Sequence, residues 1–527
     1  MSYSDHNGVN VPGIGPQCHG RGIDPSLAFL AHAHGETLEV HYPVDGTPVG
    51  TVRTATQADV ESAFKLARAA QHEWAQTPIR DRARILVRFA QYVLDNCDEL
   101  LDSIQLETGK NRLSAFEEVM DVARLAAHTA AVAPSILKTK RAAGAFPILT
   151  QVRVERAPKG VVGVIAPWNY PLTLVATDIV PALIAGNAVV MKPDSATPFT
   201  ALLTRKLLLQ AGLPEDLFLV TPGSGRTVGT WIIDRADFIM FTGSTATGRL
   251  IAARCGERLI GCSAELGGKN PMIVLADADI ERAAAGAVKA CFSNTGQLCI
   301  SIERIYVAQE IADEFTRAFV EKTRALTLGG GLDWNTDVGS LISPEHMARV
   351  KAHVDDAVAK GARVLAGGRA RPDLGPAFYE PTILSDVPDE ADVARAETFG
   401  PAVALDTYDH EAEAIAAAND TTYGLNSSVW SRSVAHARAV ASRLETGTVA
   451  INDGYTAAWG SIAAPMGGWK ESGIGRRHGA DGILKYTESR TVAAQHLIPI
   501  GPFGPLDAEK FAHVMRRGIR VLNALKF

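Results

Sequence analysis

Between residues 160 and 280, short apolar runs recur roughly every twenty to thirty positions: GVVGVIAP, NAVVMKP, DLFLVTPG, DFIMFTGS and PMIVLAD. Segments with helical spacing, TLVATDIVPALIA, FTALLTRKLLLQAG and TATGRLIAARCG, lie between them. Near-continuous apolar strands alternating with helices predict a parallel sheet covered on both faces. Ligands bind such sheets at the carboxyl ends of the strands. The loops PWN, KPDS, PGSG, TGST and ELGG are therefore where chemistry is sought.

Upstream, the first fifty or so residues read as irregular, and from Thr56 to about Ala133 the pattern is helical. TQADVESAFKLARAAQHEW starts at a Thr cap and stops at Pro78; DRARILVRFAQYVLDN, then DELLDSIQLETG closed by Gly109, then LSAFEEVMDVARLAAHTAAV follow. TQVRVERAP alternates apolar and polar residues at period two, which predicts a half-exposed strand. A second α/β region runs from about 281 to 478, with ERIYVA, helical IADEFTRAFVEKTRAL, FYEPTILSDV and SSVWSRS. ILKYTESRTVAAQ reads as a late strand suited to pairing with the 149–157 arm.

Composition narrows the function classes. The chain has 527 residues, 46% of them hydrophobic and 21% charged, with a net charge of −6. An acidic balance argues against a nucleic-acid binder. The most apolar region, Gly160 to Met191, is broken by prolines and polar residues and does not suit a membrane span, and the opening residues carry no signal-peptide pattern. Cys18, Cys97, Cys255, Cys262, Cys291 and Cys299 form neither a zinc pattern nor a disulfide scaffold, so a cytoplasmic setting with reduced thiols is expected and no metal site is called for.

Several strand-end loops carry candidate chemistry. Cys291 ends the alanine-rich helical stretch AAAGAVKACF, where a small hydrophobe packs easily, whereas Cys299 follows the polar break SNTGQ. In DFIMFTGSTATG a strand leads through Gly243, Ser244 and Thr245 into a helix, whose N-terminus favours phosphate. PGSGRTVG offers a second such turn, and two of them on neighbouring strands point to a dinucleotide. Lys192 in VVMKPDSATP could be solvated, or could bind ribose hydroxyls or a phosphate. Asn169, beside Trp168 in IAPWN, could cap a turn or stabilise an oxyanion. Glu265 in SAELGGKNP could sit in a salt bridge, or could be a buried general base with a raised pKa.

IAPWNYP, VMKPDSATP, FTGSTATG, ELGGKNP, FSNTGQLC, ETFGP, YGLNSSVW and PMGGWKESGIGRRHG together resemble the successive motifs of the aldehyde dehydrogenase superfamily, from about residue 40 to 490. Within it the chain is most similar to succinate-semialdehyde dehydrogenases of an actinobacterial type. The resemblance implies a Rossmann-type cofactor domain (1–146 and 160–267, including the helical lead-in), a second α/β catalytic domain (268–478), a β oligomerisation arm (147–159 and 479–500) and a tail (501–527). It implies Cys299 as nucleophile, Asn169 as oxyanion donor and Glu265 as base, with Cys291 a packing residue. Ile165, Trp168, Lys192, Ser195, Gly225, Gly243, Ser244, Leu266, Glu397 and Phe399 would then hold the dinucleotide. The family often has a glutamate three residues after the lysine; the neutral Ser195 implies NADP in preference to NAD. An acylating, coenzyme A-using branch generally lacks the base that Glu265 supplies. The best-known succinate-semialdehyde enzymes carry an arginine where Ser293 stands and another in the helix after PWN, where LTLVATDIV has none. An aldehyde substrate and a homodimer or homotetramer are expected.

The tail LDAEKFAHVMRRGIRVLNALKF reads as an amphipathic helix. Phe511, Val514, Met515, Ile519, Leu522 and Leu525 lie on one face, and Lys510, Arg516, Arg517, Arg520 and Lys526 make it basic. Docking on its own or a neighbouring subunit, membrane-surface attachment and gating of a substrate tunnel are the readings open to it.

Overall fold

The computed structural model describes residues 22–145, 150–496 and 500–524. Cys18, Leu525 and Lys526 lie outside the described residues, as do the opening stretch and the start of the arm at 147–149. The lead-in forms as α1 (Gln57–Gln76), α2 (Ile79–Asp95), α3 (Cys97–Thr108) and α4 (Arg112–Ile136). The Thr56 hydroxyl accepts from the Asp59 amide at 3.2 Å while the Asp59 carboxylate accepts from the Thr56 amide at 2.8 Å, a capping box. α3 closes on Gly109 at φ 69°, the left-handed position that glycine fills at least strain.

Residues 22–53 are more ordered than their composition predicts. β1 (Thr37–His41) and β2 (Pro48–Arg53) form an antiparallel hairpin across the Asp45-Gly46 turn. Their alternation is too short to stand out from the surrounding polar residues. β3 (Lys140–Ala142) and β4 (Thr150–Pro158) join the late strand Thr487–Gln495 in a three-stranded antiparallel sheet. Thr487 pairs with Pro158 and Gln495 with Thr150, so the two long arm segments do pair. The late strand is shorter than ILKYTESRTVAAQ, because Gly479–Leu484 is helical.

The first parallel sheet is built from the apolar runs. β5 (Val161–Ile165), β6 (Ala188–Lys192), β7 (Phe218–Val220) and β8 (Phe238–Thr242) are buried at every residue. α5 (Thr173–Ile184), α6 (Pro198–Gln210), α7 (Thr230–Ile233) and α8 (Thr245–Glu257) connect and cover them. β9 (Gly261–Glu265) adds a fifth parallel strand, and the short strand Gly473–Ile474 pairs antiparallel to its far edge. β9 escaped the apolar pattern because its residues are Gly, Cys, Ser, Ala and Glu.

Two expectations about this sheet need correction. Its order is Gly473–Ile474, β9, β8, β5, β6, β7, so the turns after β7 and β8 are separated by two strands rather than sitting on neighbouring ones. Chain succession misled here, because the sheet is wound outward in both directions from β5. The run PMIVLAD is β10 (Asn270–Val274), and it enters the second sheet instead of the first.

That second sheet holds seven strands: β12 (Arg363–Ala366), β13 (Thr382–Ser385), β14 (Ala402–Tyr408), β11 (Ile302–Ala308), β10, Asn426–Trp430 and Thr448–Ile451. Only β12 among them runs antiparallel to its neighbour. α9 (Ile280–Phe292) and α10 (Ala312–Arg324) cover one face, with Phe292 stacked on Phe319 at 6.0 Å between ring centroids. Among the described residues no helix is long and apolar enough to cross a membrane, and no acidic, His or Cys cluster could hold a metal ion.

Gly109 ties the lead-in to the second α/β region: a Cβ there would lie 2.0 Å from the Ser340 hydroxyl oxygen. Gly109→Ala combines left-handed strain with that clash and is expected to cost about 2–4 kcal/mol. Urea denaturation of the variant beside the parent protein measures it, and an unchanged midpoint would contradict this role for Gly109.

Candidate functional site

The loop carrying Cys299 is wound against its natural hand. After α9 ends at Phe292, Asn294, Thr295 and Gly296 take φ values of 51°, 58° and 70°. Three successive left-handed residues, two of them not glycine, persist only where the surroundings over-determine them. Here they do. The Asn294 amide donates to the Ser114 hydroxyl at 3.1 Å, and the Thr295 hydroxyl donates to the Gly339 carbonyl at 3.1 Å. The Gln297 side chain donates to the Asn294 carbonyl at 3.1 Å and accepts from the Ile342 amide at 2.9 Å. A Cβ at Gly296 would meet the Gly400 carbonyl oxygen at 2.2 Å, so this loop and the Glu397–Phe399 segment approach backbone to backbone. Asn270 then donates to the carbonyls of Cys299 and Ser301, at 2.8 and 2.7 Å.

The two cysteines separate as the sequence predicts. Cys291 is buried in the α9 face with Ala283, Ala287 and Ala290, and burial pushes its thiol well above the ordinary range. Cys299 is half-buried. Burial raises its thiol to about 12, the carboxylates of Glu397 and Glu265 add to this, and Arg477 opposes it. At neutral pH it rests as a thiol and needs a proton acceptor to become a nucleophile.

Asn169 follows β5 and is buried; its side chain donates to the Gln297 carbonyl at 3.1 Å, two residues before Cys299. Its loop is gripped from behind by a pair that sequence reasoning missed. Lys110 and Glu118, both without exposed side-chain surface, pair at 2.7 Å. Lys110 also donates to the Asn169 carbonyl at 2.6 Å, while Glu118 accepts from the amides of Leu172 and Thr173 at 2.9 and 3.0 Å. The charges of α3's exit and α4 thus fix residues 169–173. Between and along amphipathic-looking helices nothing in the sequence separates these two from solvated surface charges.

Glu265 ends β9. It is 2% exposed, and neither carboxylate oxygen has a hydrogen-bond partner. Desolvation drives its pKa up to about 7, while Arg477 and then Lys485 hold it from rising further. The Arg477 guanidinium does not pair with it because it is committed elsewhere. It donates to both oxygens of Asp178, at 3.1 and 2.8 Å, and to the Thr242 hydroxyl at 2.5 Å. Neither Arg477 nor Asp178 was singled out from the sequence, although a lone carboxylate in LTLVATDIV is a signal that a buried cation faces it.

The ten candidate cofactor residues fall into three groups. Lys192, at the end of β6, donates to the Pro193 carbonyl at 2.8 Å, and a Cβ at Gly225 would lie 4.0 Å from its Cε. Ser195 donates to the Gly223 carbonyl at 3.2 Å, and the Asp194 carboxylate is turned back onto the Ala196 amide at 3.0 Å. Ile165 ends β5 beside Lys192. Gly243 and Ser244 form a separate group at the N-terminus of α8, where the Ser244 hydroxyl accepts from the Thr247 amide. The Leu266 amide is occupied by the Ser472 carbonyl at 3.0 Å, and its side chain packs against Gly248 of α8.

Glu397, Phe399 and Trp168 make the third group. Glu397 accepts from the Gly268 amide at 2.9 Å; burial, reinforced by the nearby Glu303 charge, raises its pKa to about 8. Phe399 stands at φ 56° with its amide donating to Glu303, which also pairs with Lys269 at 2.5 Å. The Phe399 ring meets Trp168 edge-on at 5.6 Å between centroids. Burial lowers the His346 pKa to about 4, so a neutral imidazole donates to the Phe399 carbonyl at 2.7 Å.

Around Cys299 the lining is apolar: Tyr170, Leu174, Leu298, Ile300, Tyr455 and Met466. The Tyr170 hydroxyl is buried without a partner.

Residues 29–492 match the aldehyde dehydrogenase family. A Mycolicibacterium smegmatis protein with the name "Putative succinate-semialdehyde dehydrogenase (NADP(+))" is 55% identical over 480 residues, covering 91% of this chain and 93% of its own. A Mycobacterium tuberculosis protein of the same name, numbered 2, is 52% identical over 457 residues, covering 87% and 88%. Among solved structures, an NADP-dependent enzyme of E. coli superposes with a TM-score of 0.84 at 35% identity, over 87% of this chain and 95% of its own. A Staphylococcus aureus betaine aldehyde dehydrogenase, solved in complex with NAD+, gives 0.83 at 33%, over 88% and 92%.

With its thiol at about 12, Cys299 should be alkylated by iodoacetamide at a rate that climbs about tenfold per pH unit from pH 7 to 9, because the thiolate fraction does. Cys291 should stay unlabelled in the folded protein. Peptide mass spectrometry of timed samples resolves the two, and a pH-independent Cys299 rate would contradict the raised pKa.

Proposed function

The chain belongs to the aldehyde dehydrogenase family, and from that premise we propose that it oxidises succinate semialdehyde to succinate with NADP, NAD being a usable second cofactor. The observation that carries the reading is the chemical contrast between Glu265 and Cys299. A buried carboxyl with no hydrogen-bond partner and a pKa near 7 stands in the electrostatic reach of a thiol held in a fixed loop.

In this reading the Cys299 thiol passes its proton to solvent water, and the thiolate attacks the aldehyde carbon, forming a C–S bond. The carbonyl oxygen takes up the electron pair and is held by the Asn169 side-chain N–H and the Cys299 amide. Bound NADP supplies the acceptor for the hydride that leaves this carbon. The thioester so left on Cys299 is cleaved by water, which Glu265 deprotonates; the acid departs and the sulfur recovers its proton. Glu265 favours water over coenzyme A as acyl acceptor. The aldehyde's distal carboxylate meets no arginine at Ser293, and we assign its reception to the unpartnered hydroxyl of Tyr170.

The residues near β6 fit a dinucleotide. The Lys192 ammonium spends one of its donors on the Pro193 carbonyl, which leaves two for ribose or phosphate oxygens. Gly225 beside it carries no side chain to obstruct them. We assign Ile165, Lys192, Ser195 and Gly225 to the adenosine half, Gly243, Ser244 and Leu266 to the pyrophosphate, and Trp168, Glu397 and Phe399 to the nicotinamide ribose. On this basis residues 1–146 with 160–267 form the cofactor domain and 268–478 the catalytic domain. The three-stranded arm is inferred to join subunits into a dimer or tetramer. Its strand Thr487–Gln495 is exposed at eight of nine residues and offers an edge with no partner among the described residues. A cytoplasmic location agrees with the five described cysteines, all free.

Glu265→Gln should release a stoichiometric burst of NADPH and then turn over slowly, with the acyl group detectable on Cys299 by mass spectrometry. In the parent enzyme, thioester hydrolysis should rise about tenfold per pH unit below pH 7 and level off above it, since only the ionised carboxylate is a base. No burst and no adduct would refute the assignment.

Ser195 bears on cofactor choice. A glutamate there would set a carboxylate against a 2′-phosphate, and Asp194 is already engaged with its own loop. Ser195→Glu should reduce kcat/KM for NADP at least about tenfold, equal to about 1.4 kcal/mol, and reverse the preference toward NAD. A parent enzyme with higher kcat/KM for NAD than for NADP would overturn this reading of the loop.

A further inference from the structure

The C-terminal helix Ala508–Ala524 has none of its residues buried, so it does not dock on its own chain. Successive residues turn by about 100° around a helix, which gathers Phe511, Val514, Met515, Ile519, Val521 and Leu522 into one arc that also contains Gly518. That arc is open: Val514 is 56% and Ile519 46% exposed, and a Cβ at Gly518 would meet nothing within 4 Å. The opposite arc carries Lys510, Arg516, Arg517 and Arg520 against the single acid Glu509. Arg516, Arg517 and Arg520 have no carboxylate partner among the described residues, and Lys510 pairs only with Asp507. This local excess of cations stands on a chain whose net charge is −6.

We propose that this helix lies in the plane of an anionic lipid surface and attaches the enzyme to it peripherally. Charge distribution decides between this and a second copy of the chain. Docking the apolar arc on another protein would turn three unpaired arginines outward into solvent and leave the basic face without a role. A lipid surface receives both faces at once: the apolar arc enters the boundary between headgroups and acyl chains, and the long arginine side chains reach up to the phosphates. The helix spans about 26 Å at 1.5 Å per residue, all of it available to lie flat. Gly501 and Gly504, each with nothing within 4 Å of a built Cβ, precede it.

Flotation of the full-length protein with vesicles tests this. Vesicles of phosphatidylcholine with about 30% phosphatidylglycerol should carry the protein upward, and pure phosphatidylcholine vesicles should not. Binding should weaken in high salt, where the Debye length falls to about 3 Å at 1 M. A variant combining R516E, R517E and R520E, and separately V514E with I519E, should each bind at least about tenfold more weakly. Both should keep the parent's turnover of a soluble aldehyde and its sedimentation. Absence of binding, equal binding to neutral vesicles, or binding retained after residues 501–527 are removed would overturn the proposal. So would a change of oligomeric state in the variants without any vesicle binding, which assigns the apolar arc to a second copy.

Discussion

Arg477 and Asp178 hold the reactive centre together. Their bidentate pair joins four parts of the chain: α5, the end of β8 through Thr242, the end of β9 through Glu265, and the segment after residue 470. Removing one member of such a buried pair leaves an uncompensated charge and costs about 3–5 kcal/mol. The cation also sets the acidity of Glu265. Desolvation alone would favour the protonated carboxyl, and a direct salt bridge would favour the ionised one. A guanidinium close by and saturated by another acid does neither, and the resulting pKa lies near 7.

The same economy governs the two sides of the cleft. The Cys299 loop keeps its left-handed turn through bonds to Ser114, Gly339, Ile342 and Asn270, drawn from distant parts of the sequence. The Asn169 loop is held by Lys110 and Glu118. Neither loop could keep its shape as an isolated peptide. Each is rigid because buried polar groups have nowhere else to find partners.

Much of this was legible in the chain. Apolar runs located β5, β6, β8 and β10, Thr56 and Gly109 located helix ends, and the helix-then-loop contrast separated Cys291 from Cys299. β9 was hidden because a strand can be buried through small and polar residues when neighbours on both sides supply its hydrogen bonds. The β1–β2 hairpin was hidden by brevity. The spacing of the two glycine turns was misread because chain order does not give strand order in a sheet that winds outward from its centre. Lys110 and Glu118 left no trace, since a buried ion pair is written with the same letters as two surface charges.

One consequence of the sheet order concerns synthesis. β9 is flanked on its outer side by Gly473–Ile474, and Glu265 takes its electrostatic setting from Arg477 and Lys485, more than two hundred residues downstream. A nascent chain therefore carries Cys299 and the strands β5 to β9 well before Glu265 acquires the two cations that set its pKa. At about 5–20 residues per second the ribosome spends roughly ten seconds or more between the two events. During that interval the Glu265 carboxyl has neither Arg477 nor Lys485 beside it.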